Sequence, residues 1–583
     1  MTFRARPTTR TGRRSGYESD HRRNLYFTFG FGAVVVVAIL LLVGAGAASW
    51  YDQHMAAVAV VNGETITKDR YNDRVAEETF RLDTLESRTR EKINAGKMSP
   101  SQGQQYLNEI ASLRNQVDSL AYEREIDTTL LLQLAPDRNV EVTEAEIDAQ
   151  ITKDATTPES RHTYQIQVKP ETSTGATEPT QEQQDAAQKK ADALLADLKT
   201  GKTWEEVVKA SGDADAAETN GDLFFIDEGS SSPDVPFVEA IFALAAPGYT
   251  EVIEGEDGIY RIGRMTEVSA EVVDPNYMKR ATDAGVSEKG YRHSTSSIVA
   301  RDEIDAQIVA EVVDKPSEQR RTVEIALEDN RGAPLAPGAV LVKHLLYSPK
   351  DDPGGAAALP ADDPAWAAAE AEAKKAYDDL AAGSARFVDL APVSDDATSA
   401  AANGFLPYFA KDDPQAQLDQ AFADAIFAEG LVPGQLLAPV KSAFGWHVIE
   451  YVTADDPQVR SQKLIAEASA PGADVAKLAA DESIAQSAVD GGDIGWIARY
   501  QREKAQEDAI FATQANGVSQ AISITGTSTS LTFYVVPEIA TRMPDPDQAR
   551  TLRDDAFSNW YQGIKSDPAQ TTIERLITPS AAS

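Results

Sequence analysis

One unit recurs three times between about residue 200 and residue 540, and no other feature constrains the fold so tightly. Each copy opens with a helical stretch, a glycine-containing turn and an apolar shoulder: Gly201 with Trp204 and Val207, Gly383 with Phe387 and Leu390, Gly472 with Val475 and Leu478. A glycine-led strand follows, GDLFFI from Gly221, GFLPYF from Gly404 and GDIGWI from Gly492. Next come an Ala-Ile-Phe triplet, at Ala240–Phe242, Ala425–Phe427 and Ala509–Phe511, and a closing apolar strand, Ile259–Gly263, His447–Val452 and Leu531–Val536. Each piece alone is weak, but the same order at near-equal spacing three times predicts a modular chain. A shorter repeat, EIDAQI, stands at Glu146–Ile151 and Glu303–Ile308, and each copy leads through arginine into a β-like run, RHTYQIQV and RRTVEIAL.

Bulk properties exclude several classes of function. A chain of 583 residues has room for several domains. Its net charge of -37 argues against nucleic acid, which requires clustered lysine and arginine. The acidity reads as a solvated, self-repelling surface that resists aggregation. With no cysteine, disulfides, thiol nucleophiles, iron–sulfur clusters and lipid attachment at cysteine are excluded. Histidine chemistry is confined to His21, His54, His162, His293, His344 and His447. No H-E-x-x-H, G-x-S-x-G or S-x-x-K motif supports a hydrolase.

From Leu25 to Ala48 the chain carries no charge, a run of about two dozen residues and long enough for a hydrocarbon core. Seven arginines, Arg4 to Arg23, precede it, so the positive-inside rule expects a cytoplasmic amino terminus and an extracytoplasmic body. A cleaved signal peptide ending at the small residues Ala45–Ala48 is the alternative; the length of the run favours an uncleaved anchor.

Beyond the anchor, Val58–Glu78 reads VAVVNGETITKDRYNDRVAEE: a short strand, the Asn62-Gly63 turn, and Thr67 where a helix N-cap belongs. This V-N-G-E-x-I-T pattern resembles the opening of the chaperone domain in SurA and PrsA foldases, and the threefold unit resembles the parvulin fold. The resemblance implies an α+β chain, each module a four-stranded antiparallel sheet flanked by helices. It divides the chain into a basic tail (1–23), a transmembrane anchor (24–50) and a SurA-like helical chaperone domain (55–157). Parvulin-like modules would occupy 158–270, 338–455 and 456–540, with a helical, chaperone-like connector at 271–337. A carboxy-terminal helix (541–583), amphipathic around Trp560, would pack back on the chaperone half.

The resemblance further implies a peptidyl-prolyl isomerase without metal or cofactor, acting on proline-containing, unfolded or nascent exported polypeptides. Only the middle module carries the parts. His344 in VLVKHLLYS and His447 in FGWHVIEYV match the family's histidines on two neighbouring central strands. Asp396, two residues after Ser394, matches a position where the family has Cys or Asp, with Asp395 a neighbouring candidate. Leu418, Phe422 and Phe427 match the apolar proline pocket. One departure is Asn403-Gly404-Phe405-Leu406-Pro407, where the family reads G-G-D-L-G.

The outer modules are expected to be degenerate. In the first, Gln165 and Tyr260 stand near the two histidine positions, His162 falls on the opposite strand face, and Phe237 and Asp213 survive as pocket residue and acid. In the third, Leu531 or Thr532 replaces the second histidine and Gln506 the pocket phenylalanine. The third module's first strand would be missing or borrowed from Val448–Val452. The alternative to an enzyme is a non-catalytic, membrane-tethered holdase that uses all three modules as peptide-binding platforms.

Overall fold

The computed structural model describes residues 37–172, 179–330, 334–411, 418–525 and 529–579. Two compact units result, one holding residues up to Glu303 together with those from Thr571, the other Ile304–Gln570.

In the first unit, Asn62 and Gly63 both take positive φ and turn strand Ala57–Val61 into Glu64–Thr67. The Thr67 hydroxyl then caps helix Lys68–Asn94. Helices Pro100–Arg114 and Val117–Leu134 pack against that helix. A capping box of Thr143 and Glu146 starts helix Glu144–Ala155, the first EIDAQI copy. Strand Ser160–Val168 follows, and the first module's sheet runs Asp222–Asp227, Ser160–Val168, Tyr260–Ser269, with Gly248–Tyr249 and Ile253–Glu254 both paired to the last. Helices Gln181–Lys199 and Trp204–Ser211 cover one face, burying Leu194, Leu198 and Trp204 against Ile166 and Ile262.

Residues 37–54 are helical, but no helix among the described residues is long and apolar enough to cross a membrane. The basic tail, His21 and the first half of the expected span lie outside the described residues.

In the second unit, the middle module's sheet orders Leu341–Tyr347, Trp446–Thr453, Gln435–Lys441, all antiparallel. The expected fourth strand is replaced by two isolated bridges, Lys343 to Phe405 and Val340 to Phe409. Pro407 lies between them, and a residue without an N–H cannot continue a ladder. The outer modules depart in the other direction, with five strands each.

The third module corrects the expected domain map. Its first strand is neither missing nor borrowed: it is Ser317–Glu328, inside the segment expected to be a helical connector. That strand lies between Asp493–Ile497 and Thr529–Arg542. Val448–Val452 belongs to the middle sheet instead. The middle module is thus an insertion within the third. Its first and last strands pair antiparallel, so its two ends emerge side by side and splice into a host loop at small cost. Helix Pro546–Ser566 packs on helix Lys504–Ala512 of the third module. It is the short strand Ile573–Arg575 that returns to Ala57–Val61.

The three modules share a common frame. The amides of Gln165, His344 and Glu324 donate to the carbonyls of Gly221, Gly404 and Gly492 at 2.8, 2.7 and 2.7 Å. Opposite the residue two further along each first strand stand Arg261, His447 and Thr532. The second histidine position is therefore Arg261, not Tyr260, in the first module, and Thr532, not Leu531, in the third.

Candidate active site

Strand alternation puts every second residue of Leu341–Tyr347 on one face, and antiparallel pairing sets His447 opposite Leu346, two residues from His344. The two imidazoles consequently meet, their rings stacked with centroids 5.3 Å apart and Nδ1 facing Nδ1 at 3.1 Å. Both are buried, 4% and 6% exposed.

Each end of this pair is tied down. His344 Nε2 lies 2.7 Å from Asp396 Oδ2. Asp396 is fixed as the N-cap of the short helix Ala397–Ala400. Asp395 does different work: its carboxylate accepts the Ser348 amide at 2.6 Å. His447 Nε2 lies 2.7 Å from Ser442 Oγ, and the Phe444 amide donates to that same oxygen at 3.0 Å.

Two proton arrangements satisfy the chain Asp396–His344–His447–Ser442. In one, Ser442 donates to His447, His447 to His344, and His344 to the carboxylate. In the other, a doubly protonated His344 donates both ways and His447 donates to Ser442. His447 is neutral in both. Burial and then the charge of His344 hold its pKa down from 6.5 to about 3. The hydrogen bond from His344 holds Asp396 down to about 2.

These shifts fix the sign of a pH dependence. Below pH 6.5 the unfolded chain protonates His447, whereas the folded chain does so only near 3. Stability is therefore present above 6.5 and is lost progressively on acidification across that window. Asp396 adds a further loss between 3.8 and about 2. Denaturant unfolding across the window is expected to show this decline, and His447→Asn to flatten its upper part. Equal slopes in both proteins would contradict the assignment.

Phe422 provides the apolar wall. It is 4% exposed, edge-on to His344 at 5.7 Å, tilted against His447 at 5.0 Å and edge-on to Phe409 at 6.4 Å. Leu418 belongs to the same apolar cluster, as does Leu406. Phe427 shares that cluster but faces elsewhere. It lines a cavity of about 480 Å³ with Val340, Leu431 and Tyr451, in which neither histidine takes part.

Sequence reasoning missed Ser442, Leu406 and Phe409. Ser442 had no signal beyond standing five residues before His447, in a hairpin turn whose Ala443 amide is held by Asp419. Leu406 lies in the segment that departs from the family pattern, where Asn403 donates to the carbonyls of Ser483 and Ala485 in the third module.

Among the described residues, the outer modules lack this network. In the first, Arg261 is buried and bound by Asp234 and Asp257, while Phe237 is fully buried core. His162 pairs with Asp222 at 2.9 Å and stacks on Phe225. Asp213 caps helix Ala214–Thr219 and accepts the Gln167 amide. In the third, Glu324 and Thr532 take the histidine positions.

Residues 19–159 match the family model of a SurA-like N-terminal domain. Residues 167–265 and 344–453 match the PPIC-type PPIase domain, and residues 451–528 match another PPIC-type PPIase model. The chaperone SurA of Methylobacillus flagellatus is 27% identical over 233 residues, 34% of this chain and 51% of that protein. The chain thus spans about half the length of that curated relative. Among solved structures, the foldase PrsA of Streptococcus pneumoniae is 16% identical, covering 41% of this chain and 81% of that one at a TM-score of 0.18. A SurA-like chaperone structure from Campylobacter jejuni is 18% identical, covering 44% and 99% at a TM-score of 0.18. On the family matches, the chain carries a SurA-like N-terminal domain followed by repeated PPIC-type PPIase domains.

Proposed function

We propose that the chain is a peptidyl-prolyl cis–trans isomerase and foldase for unfolded exported polypeptides, with catalysis confined to the middle module. The observation that carries this reading is the buried chain Asp396–His344–His447–Ser442 beside Phe422. Prolyl isomerisation breaks no covalent bond; its barrier of about 18–20 kcal/mol is amide resonance. A catalyst has to grip the ring, exclude water and favour the twisted amide over the planar one. Leu418 and Phe422 supply the grip. The histidine pair supplies a fixed polar floor, and Asp396 sets its charge. Phe427 is the weaker member of the pocket, because it lines the separate cavity.

The outer modules serve as scaffold or peptide platform without catalysis, since Arg261 and Thr532 stand where an imidazole is needed. The full chain is expected to accelerate a refolding step limited by prolyl exchange, which takes tens of seconds or longer uncatalysed. Suppressed aggregation with no acceleration would instead make it a holdase.

The body is extracytoplasmic and tethered through its amino-terminal apolar run. Supporting this, Val37 and the residues Ile39 to Val43 stand 53% to 73% exposed on the helix, an apolar surface suited to lipid. Expressed in a bacterium, the chain is expected to stay with carbonate-washed membranes and to be degraded by protease added outside. Release into the soluble fraction would overturn the tether.

A further inference from the structure

The middle module differs from its neighbours at a corner that the isomerase chemistry does not use. In the first module Arg161, four residues before Gln165, reaches the end of helix Val235–Phe242. Its guanidinium donates to the carbonyls of Ile241 and Leu244 at 2.7 and 2.8 Å and lies 4.6 Å from the Phe242 ring centroid. Arg320 of the third module, four residues before Glu324, does the same. It donates to the carbonyls of Ile510 and Phe511 at 3.1 and 2.8 Å and lies 4.5 Å from the Phe511 centroid. Each arginine is held by a glutamate two residues earlier, Glu159 at 2.8 Å and Glu318 at 3.0 Å.

The same count back from His344 gives Val340 for the arginine and Gly338 for the glutamate. All three first strands carry a register shift that begins three residues before this frame residue, after His162, Leu341 and Arg321. Where the neighbours have a Glu–Arg pair, the middle module has the cavity of about 480 Å³ lined by Gly338, Val340, Ile426, Phe427, Tyr451 and Lys411. The phenyl ring and helix end that receive arginine in the flanking modules are thus retained, and the arginine and its glutamate are replaced by valine and glycine.

We propose that this cavity is a subsite for an arginine side chain of the client polypeptide. The inference rests on the reading of the middle module as the one that receives clients. A helix carboxy-terminal end presents carbonyls with partial negative charge, and an aromatic face attracts a guanidinium. Arginine suits both, being planar and weakly hydrated. Lys411 at the rim does not forbid a second cation. It stands seven residues after Gly404, as Arg499 stands seven after Gly492, and Arg499 and Arg320 share the Phe511 ring at 3.9 and 4.5 Å. The net charge of -37 further favours basic segments of clients.

The test uses the full chain and an unstructured, proline-containing peptide with one arginine, alongside the same peptide with glutamine there. The arginine peptide is expected to bind about tenfold more tightly. Val340→Arg, which fills the cavity as the neighbouring modules fill theirs, is expected to abolish the difference. Phe427→Leu, which keeps apolar volume but removes the ring, is expected to shrink it, so the inference stands or falls even if Val340→Arg does not fold. Equal affinity for the two peptides on the unaltered chain, or an arginine advantage that survives in folded Val340→Arg, would overturn it. Failure of the isomerase reading looks different: no acceleration of the glutamine peptide, with the arginine advantage intact.

Discussion

His447→Asn is expected to lower kcat/KM for prolyl exchange by about 10²-fold while the chain remains folded, the scale on which removing one preorganised polar group acts. The size of the effect follows from the position of His447 in the network. It touches Ser442 through Nε2, His344 through Nδ1 and Phe422 through its ring, so its loss breaks the chain at its middle link. Ser442→Ala removes one terminal link and is expected to cost less. Phe422→Leu keeps apolar contact but loses the shape that grips a proline ring, and its effect is expected to fall on KM more than on kcat. Kinetics of all three variants against a proline tetrapeptide check the order. Full activity in a folded His447→Asn chain would remove the middle module's claim to catalysis and leave a holding device.

How much of this was legible in the sequence depended on whether the signal was local. The Asn62-Gly63 turn, the Thr67 cap and the Thr143–Glu146 capping box are short-range chemistry, and each stands where the sequence pattern puts it. The three Ala-Ile-Phe triplets all fall at helix carboxy-terminal ends, because the repeat carried its own spacing. His344 and His447 lie on adjacent strands, a juxtaposition that alternation alone could not pair but the family pattern could. The register of the outer modules was harder. Tyr260 and Arg261 differ by one residue and hence by one face of the strand; the Gln165–Gly221 hydrogen bond sets the frame, and the pairing of Gln167 with Arg261 decides between them.

The split host module was the largest miss. RRTVEIAL reads as β-like, but the residues it pairs with are about two hundred positions away, on the far side of an inserted domain. No periodicity encodes such a partner. The family match to residues 451–528 likewise begins in the last strand of the insertion and leaves Ser317–Glu328 out.

That split makes a second large effect testable. A fragment of residues 456–542 is expected to be unfolded, and the same fragment with residues 317–328 joined through a short linker to be folded. Strand Ser317–Glu328 is internal to the sheet: it pairs along its length with Thr529–Arg542 and on its other side with Asp493–Ile497. Ile325 and Leu327 are fully buried among Leu464, Leu531 and Phe533. Losing two such side chains costs about 1.5–3 kcal/mol each, and each backbone group left buried without a partner about 1–3 kcal/mol more. Domain stabilities are only about 5–15 kcal/mol, so the strand's absence exceeds what the module can lose. Amide dispersion in NMR spectra of the two fragments provides the measurement. A well-dispersed spectrum from residues 456–542 alone would mean that the third module closes its own sheet, and that the middle module is joined to it in series rather than set inside it.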